Sequence, residues 1–224
     1  MNKVAIFTIT SGLHDQKTLS DLSDAFLTGI FPDGAYTFCG ADFSSFGDHP
    51  LNLIYVRTGC AEGIFKSLLP EIRSQYQGPI YLLTSGKSNS LAASMEILSY
   101  LRQKGIAGEI LHGRSEVLSR RIALLGRVAS ARKMLSGDRI GVVGNPSDWL
   151  IASAASPSAI KEKLGADIVE VPMDALVALI GQMPAVAVPG DLPMKKDIRA
   201  AYPGAVQIFD ALKEVQRQYN LQAL

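Results

Sequence analysis

Cysteine is nearly absent from this chain: Cys39 and Cys60 are the only two in 224 residues. Two thiols cannot build the framework that staples a small secreted domain, nor a cysteine-rich zinc site, and the economical reading is a reducing cytoplasm. Histidine is scarce too. His14, His49 and His112 are scattered, none stands with two acidic residues at ligand-like spacing, and each reads as a surface or loop residue. Neither charge sign is in excess. Twenty-two basic residues against 21 acidic give a formal net charge of +1, which leaves no electrostatic footprint for nucleic acid or an anionic membrane surface. No apolar stretch approaches the roughly 20 residues of a membrane helix. The start, Met1-Asn2-Lys3-Val4-Ala5-Ile6-Phe7, reads as a strand rather than a signal peptide. Internal repeats and low-complexity segments are lacking as well.

What the chain has is apolar residues, 47% of the total with 19% charged, enough to bury a substantial core in one large or two small domains. Residues 4–9, 52–57, 80–84 and 108–111 read as strands, and helical patterns lie between them at about 19–27, 64–76 and 90–104. This alternation predicts a doubly wound parallel sheet. After Gly113 the pattern changes to one long amphipathic run, residues 115–135. In it Val117, Leu118, Ile122, Leu125, Val128 and Met134 are interleaved with Arg120, Arg121, Arg127, Arg132 and Lys133. Its charges are spread rather than focused, which suits a solvated helix face more than an anion site.

A second series begins at Asp138, with strands expected at 139–143, 167–171, 185–188 and 205–208 and helices at 158–164, 173–180, 195–202 and 209–219. The fold expected is therefore α/β, with two doubly wound, flavodoxin- or Rossmann-like parallel-sheet domains joined by a long helix. Residues 1–113 form the first domain, 114–137 the connecting helix and 138–224 the second domain, which the chain's end could truncate.

Two segments leave an apolar strand, pass through small polar residues and enter a helix-like run, and the carboxyl ends of parallel strands are where open α/β sheets bind ligands. In the first, Gly86 permits a turn, and Ser85, Lys87, Ser88 and Asn89, with Ser90, place side-chain donors, acceptors and free amides at a helix start. Ser88 or Ser90 as a plain helix cap explains the same residues. Gly86-Lys87-Ser88 lacks the preceding glycine of a P-loop, so ATP is not supported. In the second, Gly144-Asn145-Pro146 ends the strand and leads to Ser147, Asp148 and Trp149, the only tryptophan. An indole beside short polar groups suits the C–H face and hydroxyls of a sugar ring. A helix cap plus packing explains these residues equally well.

The run Leu83-Thr84-Ser85-Gly86-Lys87-Ser88-Asn89-Ser90-Leu91-Ala92-Ala93-Ser94-Met95-Glu96-Ile97-Leu98-Ser99-Tyr100-Leu101, with Ile110-Leu111-His112-Gly113 after it, resembles the amino-terminal region of L-fucose isomerase-like proteins. Gly144-Asn145-Pro146-Ser147-Asp148-Trp149-Leu150-Ile151-Ala152-Ser153 resembles their second domain at the corresponding distance. The resemblance implies a cytoplasmic, metal-dependent ketol isomerase related to the L-fucose and L-arabinose enzymes, with a small-molecule sugar as substrate. Two α/β domains there precede a catalytic carboxyl-terminal domain, and a neighbouring subunit closes the sugar site, so a homo-oligomer is implied. A divalent metal, usually manganese, polarises the sugar oxygens while carboxylates move the protons. Its ligands lie beyond the segment that this chain's end resembles. No catalytic or metal residue is therefore carried over: no cofactor is expected in this chain, manganese is expected for a full-length enzyme, and these residues alone are expected to be inactive.

Two other readings use the same residues. A non-catalytic sugar-binding or regulatory module would need only the two loops. Thr58-Gly59-Cys60-Ala61-Glu62-Gly63 faintly resembles cofactor-independent racemases, with Cys60 as a low-pKa nucleophile or base and Cys39 as its only available partner. A small residue packed at a strand end is the simpler account of Cys60. The final helix, ending Tyr219-Asn220-Leu221-Gln222-Ala223-Leu224, has no glycine cap, and a fragment of a longer enzyme is the expectation.

Overall fold

The computed structural model describes residues 4–13, 16–147, 149, 151, 156–190 and 195–224, without the side chains of Gln16 and Thr18. The chain divides into two compact units, residues 1–131 and 132–224. In the first, β1 (Val4–Ile9), β2 (Thr37–Gly40), β3 (Leu51–Val56), β4 (Ile80–Leu83) and β5 (Gly108–Leu111) alternate with α1 (Gln16–Ile30), α2 (Glu62–Gln75), α3 (Ser90–Gln103) and α4 (Ser115–Leu135). All pairings are parallel, in the order β2-β1-β3-β4-β5.

The strands are apolar on both faces because both faces are covered. Ala5, Phe7, Ile9, Ile54, Val56, Ile80 and Leu82 point to one side, where Phe65, Leu69 and Ile72 of α2 and Ala93, Ile97 and Leu101 of α3 meet them. Val4, Ile6, Leu51, Leu53, Tyr55, Leu83 and Leu111 point to the other, against Leu27 and Ile30 of α1 and Leu118, Ile122 and Leu125 of α4. The period of two along each strand thus sorts the side chains into two cores, and the result is a Rossmann-like α/β layer structure. From β1 the chain goes to β2 on one side and then to β3 on the other. That reversal opens a crevice at the carboxyl ends of β1 and β3, the rule for ligand sites in open sheets.

β2 has no counterpart among the expected strands. It is four residues long, lies at the sheet edge, and leaves Phe38 56% exposed, so it lacks the continuous apolar run that marks its neighbours.

The second unit is smaller than expected. β6 (Arg139–Val143) and β7 (Asp167–Val171) pair in parallel, accompanied by α5 (Pro157–Leu164), α6 (Met173–Gln182) and α7 (Lys196–Gln218). Among the described residues its sheet has two strands, extended only by a bridge from Ile140 to Ala223. The strand expected at 185–188 is irregular. Pro184 and Pro189 bracket it, and proline brings no N–H to a ladder. The strand expected at 205–208 lies inside α7, which runs through Tyr202-Pro203-Gly204 as one helix instead of the two expected. Tertiary packing overrides those local stop signals. Ala211 and Val215, one turn apart, bury against Leu176 and Leu179 of α6, and the Gln207 amide donates to the Met183 carbonyl that ends α6, at 3.1 Å. Among the described residues the second unit is therefore not doubly wound.

α5 is set by its ends. The Ser156 hydroxyl accepts from the Ala159 amide at 3.1 Å, Pro157 occupies the first turn, and Gly165 takes the left-handed conformation at the end. Ser156→Ala is expected to cost about 1 kcal/mol of stability, read as a lower urea midpoint with an unchanged slope. An unchanged midpoint would mean that the cap contributes nothing.

Candidate functional site

At the carboxyl edge of the first sheet the loops are tied to one another. The Thr58 hydroxyl, fully buried, accepts from the Ser11 amide at 2.9 Å, joining the β1 and β3 loops across the crevice. The Gly59 amide donates to the Ser88 carbonyl at 2.7 Å, joining the β3 and β4 loops. A Cβ on Gly59 would stand 3.1 Å from the Asn89 Cβ, so glycine is what permits this approach. Arg57 Nε donates to the Ser23 hydroxyl of α1 at 2.9 Å, and the remaining guanidinium donors have no partner among the described residues.

The 84–90 loop is built on a buried hydroxyl pair. Thr84 Oγ1 donates to Ser90 Oγ at 2.7 Å and accepts from the Gly86 amide at 3.2 Å, while Ser90 Oγ donates to the Lys87 carbonyl at 2.6 Å. Ser90 is therefore a structural member of the loop, fully buried. Ser85 accepts from the Lys87 amide at 3.3 Å, half-buried, and the Lys87 side chain is exposed. The helix cap is Asn89, yet its side chain caps nothing: at φ +60° it makes no cap hydrogen bond. Asparagine at this position ordinarily satisfies a first-turn amide. Here its exposed amide stays available, beside Ser88 at φ +50° and Cys60 at φ +55°. Residues outside glycine seldom adopt these angles, and such strain concentrates at ligand sites.

His112 closes the edge. Its Nδ1 donates to the Thr84 carbonyl at 3.1 Å, which leaves Nε2 outside that bond. The ring crosses Gly86, where a Cβ would lie 2.7 Å from His112 Cε1, and at φ +76° that position favours glycine twice over. His112 is exposed, as expected of a loop histidine, but it is engaged with the candidate loop. His49 is a buried loop residue, not a surface one. It lies in the connection entering β3, at the opposite edge, and its Nδ1 has no partner among the described residues. His14 lies outside the described residues.

Of the expected binding residues, Ser85, Lys87, Ser88 and Asn89 share this one loop. Ser147 and Trp149 belong to the second unit, in the loop after β6; Ser147 is half-buried, Trp149 is 80% exposed, and Asp148 lies outside the described residues. The same loop borders a cavity of about 690 Å³, lined in part by Gly144, Asn145 and Pro146 but not by Trp149. Sequence reasoning missed Ser11, Arg57, Thr58 and the engagement of His112. A polar residue within two positions of a strand's end was the available signal for the first three.

Cys39 and Cys60 are both free thiols. Cys60 is exposed before α2; Cys39 sits on β2 against the first core, where burial pushes its thiol pKa up despite a hydrogen bond from Ser45. A racemase thiol needs the opposite shift. Among the described residues no group of three or more His, Cys, Asp or Glu side chains is placed to hold a metal ion. Among these residues, too, no helix is long and apolar enough to cross a membrane.

Compared with known proteins, the chain matches no family model and no curated protein.

Proposed function

We propose that this chain is the sugar-contacting and oligomerising amino-terminal region of a cytoplasmic, metal-dependent aldose-ketose isomerase of the L-fucose or L-arabinose type. The units 1–131 and 132–224 would be the two α/β domains that precede its catalytic carboxyl-terminal domain. The loops at the sheet edge act on a sugar held at the manganese of another subunit in the homo-oligomer. The observation that carries this reading is Asn89, a helix-cap residue in the left-handed region whose exposed amide makes no cap hydrogen bond. An amide free of capping bonds, in one loop with Ser85 and Ser88 and near the His112 ring that crosses Gly86, offers donors and acceptors together, the chemistry that hydroxyls require.

Saturation-transfer NMR and calorimetry with L-fucose, L-arabinose and their alditols test this. Binding is expected, and Asn89→Ala is expected to weaken it by about 1–3 kcal/mol, roughly 5- to 150-fold. Added manganese is expected to yield no ketose from these 224 residues. If no sugar binds, or Asn89→Ala leaves affinity untouched, the sheet edge is not a sugar surface. Metal-dependent turnover by the 224 residues would place the chemistry here instead. Binding that no longer chain converts into turnover would assign the alternative role, a sugar-binding module without catalysis.

A further inference from the structure

The second unit holds a cavity of about 690 Å³, inside the range of small-molecule sites. Its floor is the face of the two-stranded sheet that α6 and α7 leave uncovered. Val142 and Glu170 are register partners there, and Ile168 lies beside them. Ile160 of α5 forms the facing wall, while Asn145 and Pro146 close the end at the carboxyl terminus of β6. Val142 remains 40% exposed although it is an interior-type residue in mid-strand.

The polar groups decide what this space accepts. The loop between a parallel strand and a helix usually suits an anion, but the start of α5 is built against it. Pro157 removes one first-turn amide, and the Ser156 hydroxyl occupies the Ala159 amide. Lys161 of α5 is paired with Asp167 at 2.8 Å. Against this stands the Glu170 carboxylate, an acceptor with no hydrogen bond or ion pair among the described residues, with the Asn145 amide as the neighbouring neutral group. An apolar slot with one free carboxylate at its edge selects a positive head on an apolar body.

We propose that this cavity is a binding site for a small organic cation, its ammonium or amidinium on Glu170 and its apolar body between Val142, Ile168 and Ile160. The site is separate from the sugar surface proposed on the first unit and does not depend on it.

Three compounds of one shape and different charge test it: benzamidine, benzamide and benzoate, titrated into the full chain and followed by calorimetry and by chemical shifts of the cavity residues. Benzamidine is expected to bind saturably, and benzoate about tenfold or more weaker. Glu170→Gln is expected to weaken benzamidine about tenfold and leave benzamide unchanged. Val142→Gln, at a partly exposed position, is expected to weaken both ligands together. Both variants are checked by circular dichroism and urea midpoint. Benzoate binding as well as benzamidine overturns the proposal, as does benzamidine binding that ignores Glu170→Gln or the absence of saturable shifts at the cavity. Displacement of benzamidine by L-fucose also overturns it, by making the cavity a sugar site. Failure of sugar to bind at the first unit leaves the benzamidine result unaffected, so the two readings fail separately.

Discussion

Phe7→Ala is expected to lower the stability of the first unit by about 3–5 kcal/mol, the cost of truncating a buried aromatic ring. Phe7 is 0% exposed in the middle of β1, a strand flanked by β2 and β3, and its ring meets Phe43 at 5.2 Å and Phe46 at 4.9 Å between centroids. Deleting it removes buried area and opens a void beside the Phe43 and Phe46 rings that close-packed neighbours fill only in part. Domains of this size are stable by only about 5–15 kcal/mol, so the loss is a large share of the total. Chemical denaturation followed by circular dichroism reads the change. Phe38→Ala is the matched control: the same truncation on the edge strand β2, where the ring is 56% exposed, is expected to cost far less. Equal losses at Phe7 and Phe38 would mean that the first core is not what holds the sheet together.

The difference between these two phenylalanines also explains how much of the fold was legible. β1, β3, β4 and β5 announce themselves because a strand buried on both faces must be apolar at every position, and little else fills a run such as Leu51–Val56. β2 carries no such constraint, since an edge strand half open to water does not need an apolar residue at every position. The second unit misleads for the converse reason. Residues 185–188 are apolar enough for a strand, but their flanking prolines cannot join a ladder, and residues 205–208 follow a Pro-Gly pair that α7 nevertheless crosses. What keeps α7 continuous is the burial of Ala211 and Val215 and the contact of Gln207 with Met183, relations between residues far apart in the chain.

The candidate site divides in the same way. A polar strand-end loop is a local pattern, and Ser85, Lys87, Ser88 and Asn89 could be named from it. Arg57, Thr58 and Ser11 matter only because β3 lies beside β1, and the bonds Ser11 to Thr58 and Arg57 to Ser23 span 47 and 34 positions of sequence. Nor does a local pattern tell that Asn89 declines its capping role, because that follows from its angle of φ +60°, which the loop as a whole imposes.

Gly59→Val is expected to abolish sugar binding at the sheet edge, lowering affinity well beyond tenfold, and to cost about 1–3 kcal/mol of stability by overpacking. A Cβ at Gly59 would stand 3.1 Å from Asn89 Cβ, 3.2 Å from Asn89 Nδ2 and 3.4 Å from the Asn89 carbonyl oxygen, and valine adds two further carbons. Asn89 must yield, and with it the Gly59 amide bond to the Ser88 carbonyl that joins the loops. Asn89→Gly separates the two consequences. Glycine accepts φ +60° without strain and removes the side chain in the way, so this variant alone is expected to keep or slightly raise stability while sugar affinity falls. In the double variant stability is expected to recover most of what Gly59→Val loses, with no recovery of sugar binding, because the amide that contacts the ligand is gone. Urea midpoints and sugar titrations on the four proteins of this cycle give both readouts. Additive stability losses would show that Gly59 and Asn89 do not meet. Sugar affinity retained in Asn89→Gly would reduce the left-handed asparagine to a feature of the turn, with no part in binding.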